Sequence, residues 1–139
     1  MSVGEHVRDE DDGRSGPLAC SKETFAIRGA VYEVYRQMGT GFLEQVYQEC
    51  LEIELRNRGV PFVSQADIQV CYGEERLKQT YRADLVCFDK IIVELKAVKA
   101  ILPEHVAQLH NYLKATGAKV GLLVNFGHYP GVEIRRYVV

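Results

Sequence analysis

The hydrophobic period of this chain changes from helical to alternating at Pro61 and returns to helical after Pro103, and few folds accommodate both switches. Upstream of Pro61, Ile27, Ala30, Val31, Val34, Tyr35 and Met38 recur at helical spacing behind Ser21, a possible N-cap, and predict a helix over 22–38. Gly39-Thr40-Gly41 breaks it. Leu43, Val46, Tyr47, Cys50, Leu51 and Leu55 then form a second apolar stripe that stops at Gly59 and Pro61. The glycines at 39 and 41 read as a helix–helix turn needing positive φ rather than as a phosphate cradle. Runs rich in Val, Ile and aromatics follow at 62–72, 79–88 and 91–97, separated by Gly73-Glu74-Glu75 and by Asp89-Lys90, and predict an antiparallel meander. Val106, Leu109, Tyr112 and Leu113 mark a third helix ending at Gly117, before strands at 119–126 and 132–139. A helix between strands implies a crossover, so 119–126 is expected to lie parallel to one meander strand. The predicted architecture is α/β, a mixed sheet of about five strands flanked by helices on both faces.

With 139 residues, 47% apolar and 26% charged, the chain matches a single domain able to bury about two thirds of its unfolded surface without a metal or disulfide. Its net charge of -2 argues against a basic nucleic-acid coat or a polybasic membrane anchor. Five acids against two bases fall within residues 1–14. Residues 1–16 are therefore expected to be a disordered acidic tail before a single domain at 17–139. That opening has no apolar core of a signal peptide, and the longest uncharged run, Val120 to Val132, contains Gly, Asn, His and Pro and is too short to span a bilayer. Cys20, Cys50, Cys71 and Cys87 match no Cys-x-x-Cys spacing, and Cys50 and Cys87 sit within apolar runs. These features predict a soluble, cytoplasmic protein with reduced thiols and no membrane partner.

Three ionisable residues interrupt the meander: Asp84 in YRADLVCF, and Glu94 and Lys96 in IIVELKAV. Glu94 and Lys96 are two apart and project from one sheet face. If paired residue numbers sum to 178, closing a loop at 88–90, Asp84 lies opposite Glu94. A two-residue loop would place the carboxylates on opposite faces. In the first register two carboxylates and an ammonium meet, a donor set suited to Mg²⁺ or Mn²⁺ and to phosphodiester hydrolysis. The competing reading is a structural Glu94–Lys96 ion pair with Asp84 capping a turn.

Asp84, the hairpin and Glu94-Leu95-Lys96 resemble the PD-(D/E)XK nuclease superfamily, with Ala83-Asp84 where the motif has Pro-Asp. Gly41-Phe42-Leu43-Glu44-Gln45-Val46-Tyr47 resembles the signature of its GxxExxY branch, and QLHNYLKATGAKVGLLVNFG at 108–127 extends the similarity. The resemblance implies a restriction-endonuclease-like three-layer core, Asp84 and Glu94 as metal ligands, Lys96 as catalytic lysine, and Glu44 as an additional acidic site residue. Glu44 falls within the apolar arc of its helix and so points inward, although Glu54 shares that arc. Gln108 and Tyr112 share a helix face and resemble the Gln-x-x-x-Tyr pair of the RecB-like branch, Tyr112 then contacting nucleic acid. His105, one turn earlier, reads as a surface or packing residue, and Arg135, Arg136, Lys99 and Lys114 as solvated bases. The implied function is a Mg²⁺-dependent (or Mn²⁺-dependent) nuclease acting on DNA or RNA. The alternatives are a catalytically silent nucleic-acid-binding or protein-interaction module on the same fold, or a structural subunit. Oligomeric state stays open, with a homodimer possible.

Overall fold

The computed structural model describes the backbone of residues 6–11 and all of residues 20–139. Its elements are β1 (His6–Asp11), α1 (Ser21–Met38), α2 (Glu44–Asn57), β2 (Phe62–Tyr72), β3 (Glu75–Cys87), β4 (Ile91–Lys96), α3 (Pro103–Thr116), β5 (Val120–Asn125) and β6 (Glu133–Val138). The strands form one sheet in the order β1-β6-β5-β4-β3-β2. β2, β3 and β4 are the antiparallel meander, α3 carries the chain across, and β5 runs parallel to β4 as the helical interruption predicts.

Strands β2 to β6 are the expected mixed sheet. β1 extends it, pairing parallel with β6 through a register that sets Asp9 beside Arg136. The acidic stretch expected to be disordered thus contributes an edge strand, because the outer edge of β6 otherwise presents a row of unpaired backbone groups. The rest of that expected tail lies outside the described residues. A second departure is the start of β3 at Glu75 rather than near 79. Residues 75–80 pair with β2 in an arm exposed on both faces, so no buried face imposes an alternating pattern that a sequence could display.

Two cores lie on opposite sides of the sheet. Ile27, Val31, Val34, Tyr47, Leu51 and Leu55 of α1 and α2 pack on Leu85, Val93, Leu95, Leu122 and Val124. Leu109, Tyr112 and Leu113 of α3 pack on Ile68, Ala83, Ile92 and Leu123. Cys87 is buried in the first core, and desolvation pushes its thiol up to about 12. Ser21 is the first helical residue, with Cys20 at the cap position, so the capping reading of the serine does not hold. No helix among the described residues is long and apolar enough to cross a membrane.

Candidate functional site

The β3–β4 hairpin pairs Leu85 with Val93, Val86 with Ile92 and Cys87 with Ile91, the register in which residue numbers sum to 178. Its turn is made by Phe88 and Asp89, both with positive φ (55° and 58°), and Lys90 N–H bonds the Cys87 carbonyl at 3.1 Å. Neither residue is glycine, so the turn carries backbone strain that its composition does not advertise. One step beyond the last ladder pair stand Asp84 and Glu94.

At Asp84 the sheet opens. The β2–β3 ladder skips Gln65, whose φ is 51°, and the β3–β4 ladder stops at Leu85. Side chains complete the broken ladder. Asp84 N–H donates to Glu94 Oε2 at 2.9 Å, Leu95 N–H donates to Asp84 Oδ2 at 2.7 Å, and Gln48 Nε2 donates to the Asp84 carbonyl at 3.0 Å. Unpaired buried backbone groups are costly, so these bonds complete the opened ladder and hold both carboxyl groups in place.

Glu94 is buried, with 4% of its surface exposed. Burial raises its pKa to about 9, reinforced by a hydrogen bond with the Asp84 carboxyl and by the Asp84 charge, and opposed by the Asp84 N–H and by Lys96. Glu44, in the first turn of α2, is also raised, chiefly by burial; Lys96 pulls it down and Asp84 pushes it up. Glu44 is therefore near enough to feel both charges. Its competitor Glu54 instead bonds Arg58 at 3.3 Å. Gln108 Nε2 donates to Tyr112 Oη at 2.9 Å on α3. The Tyr112 phenol pKa is raised by burial and then by the charges of Glu94 and Asp84.

The Gly41-to-Tyr47 motif has a mechanical reading here. Gly41 takes φ 107°, Tyr47 Oη donates to the Gly39 carbonyl at 2.5 Å and accepts Phe42 N–H at 3.3 Å, and its ring stacks on Phe126 at 4.5 Å. The loop is thereby fastened to the core, fixing where α2 begins and where Glu44 points.

Two polar residues outside every motif also brace the hairpin and the segment after Lys96. Gln48 follows Glu44 by one helical turn and precedes Glu52 by another, a polar row whose spacing is its only signal. Asn125 is fully buried beside Lys96 in the β4–β5 register, and its Oδ1 accepts Val98 N–H and Gly127 N–H, both at 3.0 Å. Its signal is a polar residue closing an otherwise apolar strand. His105 Nδ1 accepts Leu102 N–H at 3.0 Å, so it caps the start of α3. Of the four bases expected to be solvated, Lys99 and Lys114 are exposed, but Arg136 is buried and Arg135 bonds Glu133 at 3.1 Å. β6 lies inside the sheet, which leaves its side chains little solvent.

Gly127 fixes the segment that follows Lys96. A Cβ there would stand 2.3 Å from the Val98 carbonyl oxygen and 2.6 Å from its nitrogen, both backbone atoms. Gly127→Ala is therefore expected to cost about 1–3 kcal/mol through forced backbone shifts. The check is a lower midpoint in urea unfolding with an unchanged slope; an unchanged midpoint would show that this loop yields freely.

Among the described residues no three His, Cys, Asp or Glu side chains form a ready metal cage. Two carboxylates completed by waters are nonetheless the ordinary protein contribution to a Mg²⁺ site. Asp84 and Glu94 fit that role, each having one carboxylate oxygen not committed to these backbone N–H bonds.

A family model described as the PD-(D/E)XK nuclease superfamily matches residues 21–137. The solved structure of SSO0001 is similar in fold, with TM-score 0.54 and 15% identity over 81% of this chain and 75% of that one. No curated protein matches. The family match covers the hairpin, the carboxylate pair and all three helices, and on that coverage the chain belongs to the PD-(D/E)XK nuclease superfamily.

Proposed function

We propose that this protein is a nuclease of the GxxExxY branch that hydrolyses phosphodiester bonds in DNA or RNA with the help of Mg²⁺ or Mn²⁺. The observation that carries the reading is the reciprocal bonding of Asp84 and Glu94 across an opened hairpin, with Lys96 on the same face. Asp84 and Glu94 would hold the cation, which when bound would polarise a phosphoryl oxygen and make water more acidic. Lys96 would orient the attacking water and offset charge developing on the phosphate. Glu44 would fix the ammonium of Lys96 from α2, and Gln108 and Tyr112 would position the strand from α3.

The test is a cleavage screen of single- and double-stranded DNA and RNA with Mg²⁺, Mn²⁺ or EDTA. Cleavage is expected with metal only, and lost in Asp84→Ala. Binding without cleavage on every substrate would favour a silent nucleic-acid-binding module.

Metal binding is expected to release a proton from Glu94, whose pKa of about 9 leaves it protonated at neutral pH. The sign follows: affinity rises with pH up to about 9, by roughly tenfold per unit when one proton is displaced. Calorimetric titration with Mn²⁺ at pH 6 and pH 8 checks this. Equal dissociation constants would show that Glu94 is already ionised before the metal arrives.

A further inference from the structure

A cavity of about 440 Å³ opens between the β2–β3 arm and α3, within the range of small-molecule sites, roughly 300–1,000 Å³. Val70 and Ala115 contribute apolar wall, Asn111 an amide, Lys114 an ammonium, and Tyr81 and Tyr112 two aromatic rings. Tyr81 is 52% exposed, and its ring centre lies 5.7 Å from that of Tyr112 at a tilt of 45°. An aromatic ring braced on one side by a buried neighbour and open on the other is a platform awaiting a planar partner. Tyr112 also connects the cavity to the centre, because it lines the cavity and packs in one buried cluster with Ala83, the residue before Asp84.

We propose that this cavity receives one unpaired nucleobase of the strand engaged at Asp84 and Glu94, with Tyr81 as its stacking platform. The inference rests on the nuclease reading above. A ring face, an amide able to meet a base edge and a cation able to meet the adjoining phosphate are the combination that single strands require. A base held in a duplex stack cannot offer its face to Tyr81, so the site selects substrates with an unpaired nucleotide beside the bond to be cut. This specificity needs no separate recognition domain. It also suits a chain of net charge -2, since stacking depends little on phosphate attraction.

The probe is a set of single-stranded DNA and RNA oligonucleotides with 2-aminopurine at successive positions, titrated with wild type, Tyr81→Ala, Tyr81→Phe and Ala115→Leu. The expected result is fluorescence quenching at one position, binding weakened about tenfold or more by Tyr81→Ala, and retention in Tyr81→Phe. Ala115→Leu, which fills the cavity while leaving both rings, is expected to remove the quenching, and a fully paired duplex to show none. Equal binding by wild type and Tyr81→Ala, quenching at no single position, or no binding by wild type would overturn the proposal. Cleavage measured alongside separates the two readings. Cleavage indifferent to Tyr81 leaves the nuclease and removes the base site, whereas Tyr81-dependent quenching without cleavage leaves the base site and removes the nuclease.

Discussion

Lys96→Ala is expected to lower metal-dependent cleavage by about 10²–10³-fold, the usual effect of removing one donor aimed at developing negative charge. Lys96 is half-buried at the end of β4, and Phe126 N–H bonds its carbonyl at 2.8 Å. Its backbone is therefore held by β5 whatever the side chain, and the fold should survive truncation. Lys96 lowers the pKa values of Glu94 and Glu44, so removing it raises both and weakens the metal site as well. The two effects separate at saturating Mn²⁺, where the metal deficit is filled and the remaining loss falls on kcat. Lys96→Arg is expected to recover little, because a planar guanidinium cannot reproduce a compact ammonium at the same point. An unchanged kcat in Lys96→Ala at saturating metal would remove the lysine from the proposed mechanism.

What the sequence disclosed depended on whether burial imposed a pattern. α1, α2 and α3 each press an apolar face into one of the two cores, and their spacing displayed that face, whereas β4 and β5 feed both cores and stood out as continuous apolar runs. The hairpin register stayed open between two alternatives because Asp89-Lys90 marks no particular turn, and the folded hairpin takes the one in which paired numbers sum to 178. Exposed pairings were silent. The outer half of β3 has no buried side to alternate against, and β1 joins an edge through backbone bonds that charged residues make as well as apolar ones. The Phe88-Asp89 turn shows the same limit in a different form, since both residues hold positive φ without the usual Gly or Asn pairing. In the site, the three motif residues stood out as charges in apolar strands. Gln48 and Asn125 did not, because a neutral amide interrupts a pattern only slightly, and its bond to a distant backbone group appears only once the chain is folded.

Glu94→Gln is expected to abolish metal-dependent cleavage, by more than about 10³-fold if the carboxylate is essential to the centre, while leaving the metal-free protein equally or more stable above neutral pH. A glutamine keeps the shape and can accept Asp84 N–H through Oε1, so the opened hairpin retains that bond. It cannot supply a charged oxygen to a cation. The stability sign follows from the raised pKa. A carboxyl ordinarily near 4.5 and at about 9 in the fold favours the native state at low pH and loses that contribution as pH rises between the two values. Glutamine has no such loss, so the variant's advantage should widen from pH 5 to pH 9. Added Mn²⁺ should reverse the order by stabilising only the wild type. Thermal unfolding at several pH values, with and without Mn²⁺, measures all three effects. A variant less stable than wild type throughout this range would mean that the Glu94 charge supports the fold, and the buried carboxylate pair would then be structural rather than held ready for a metal.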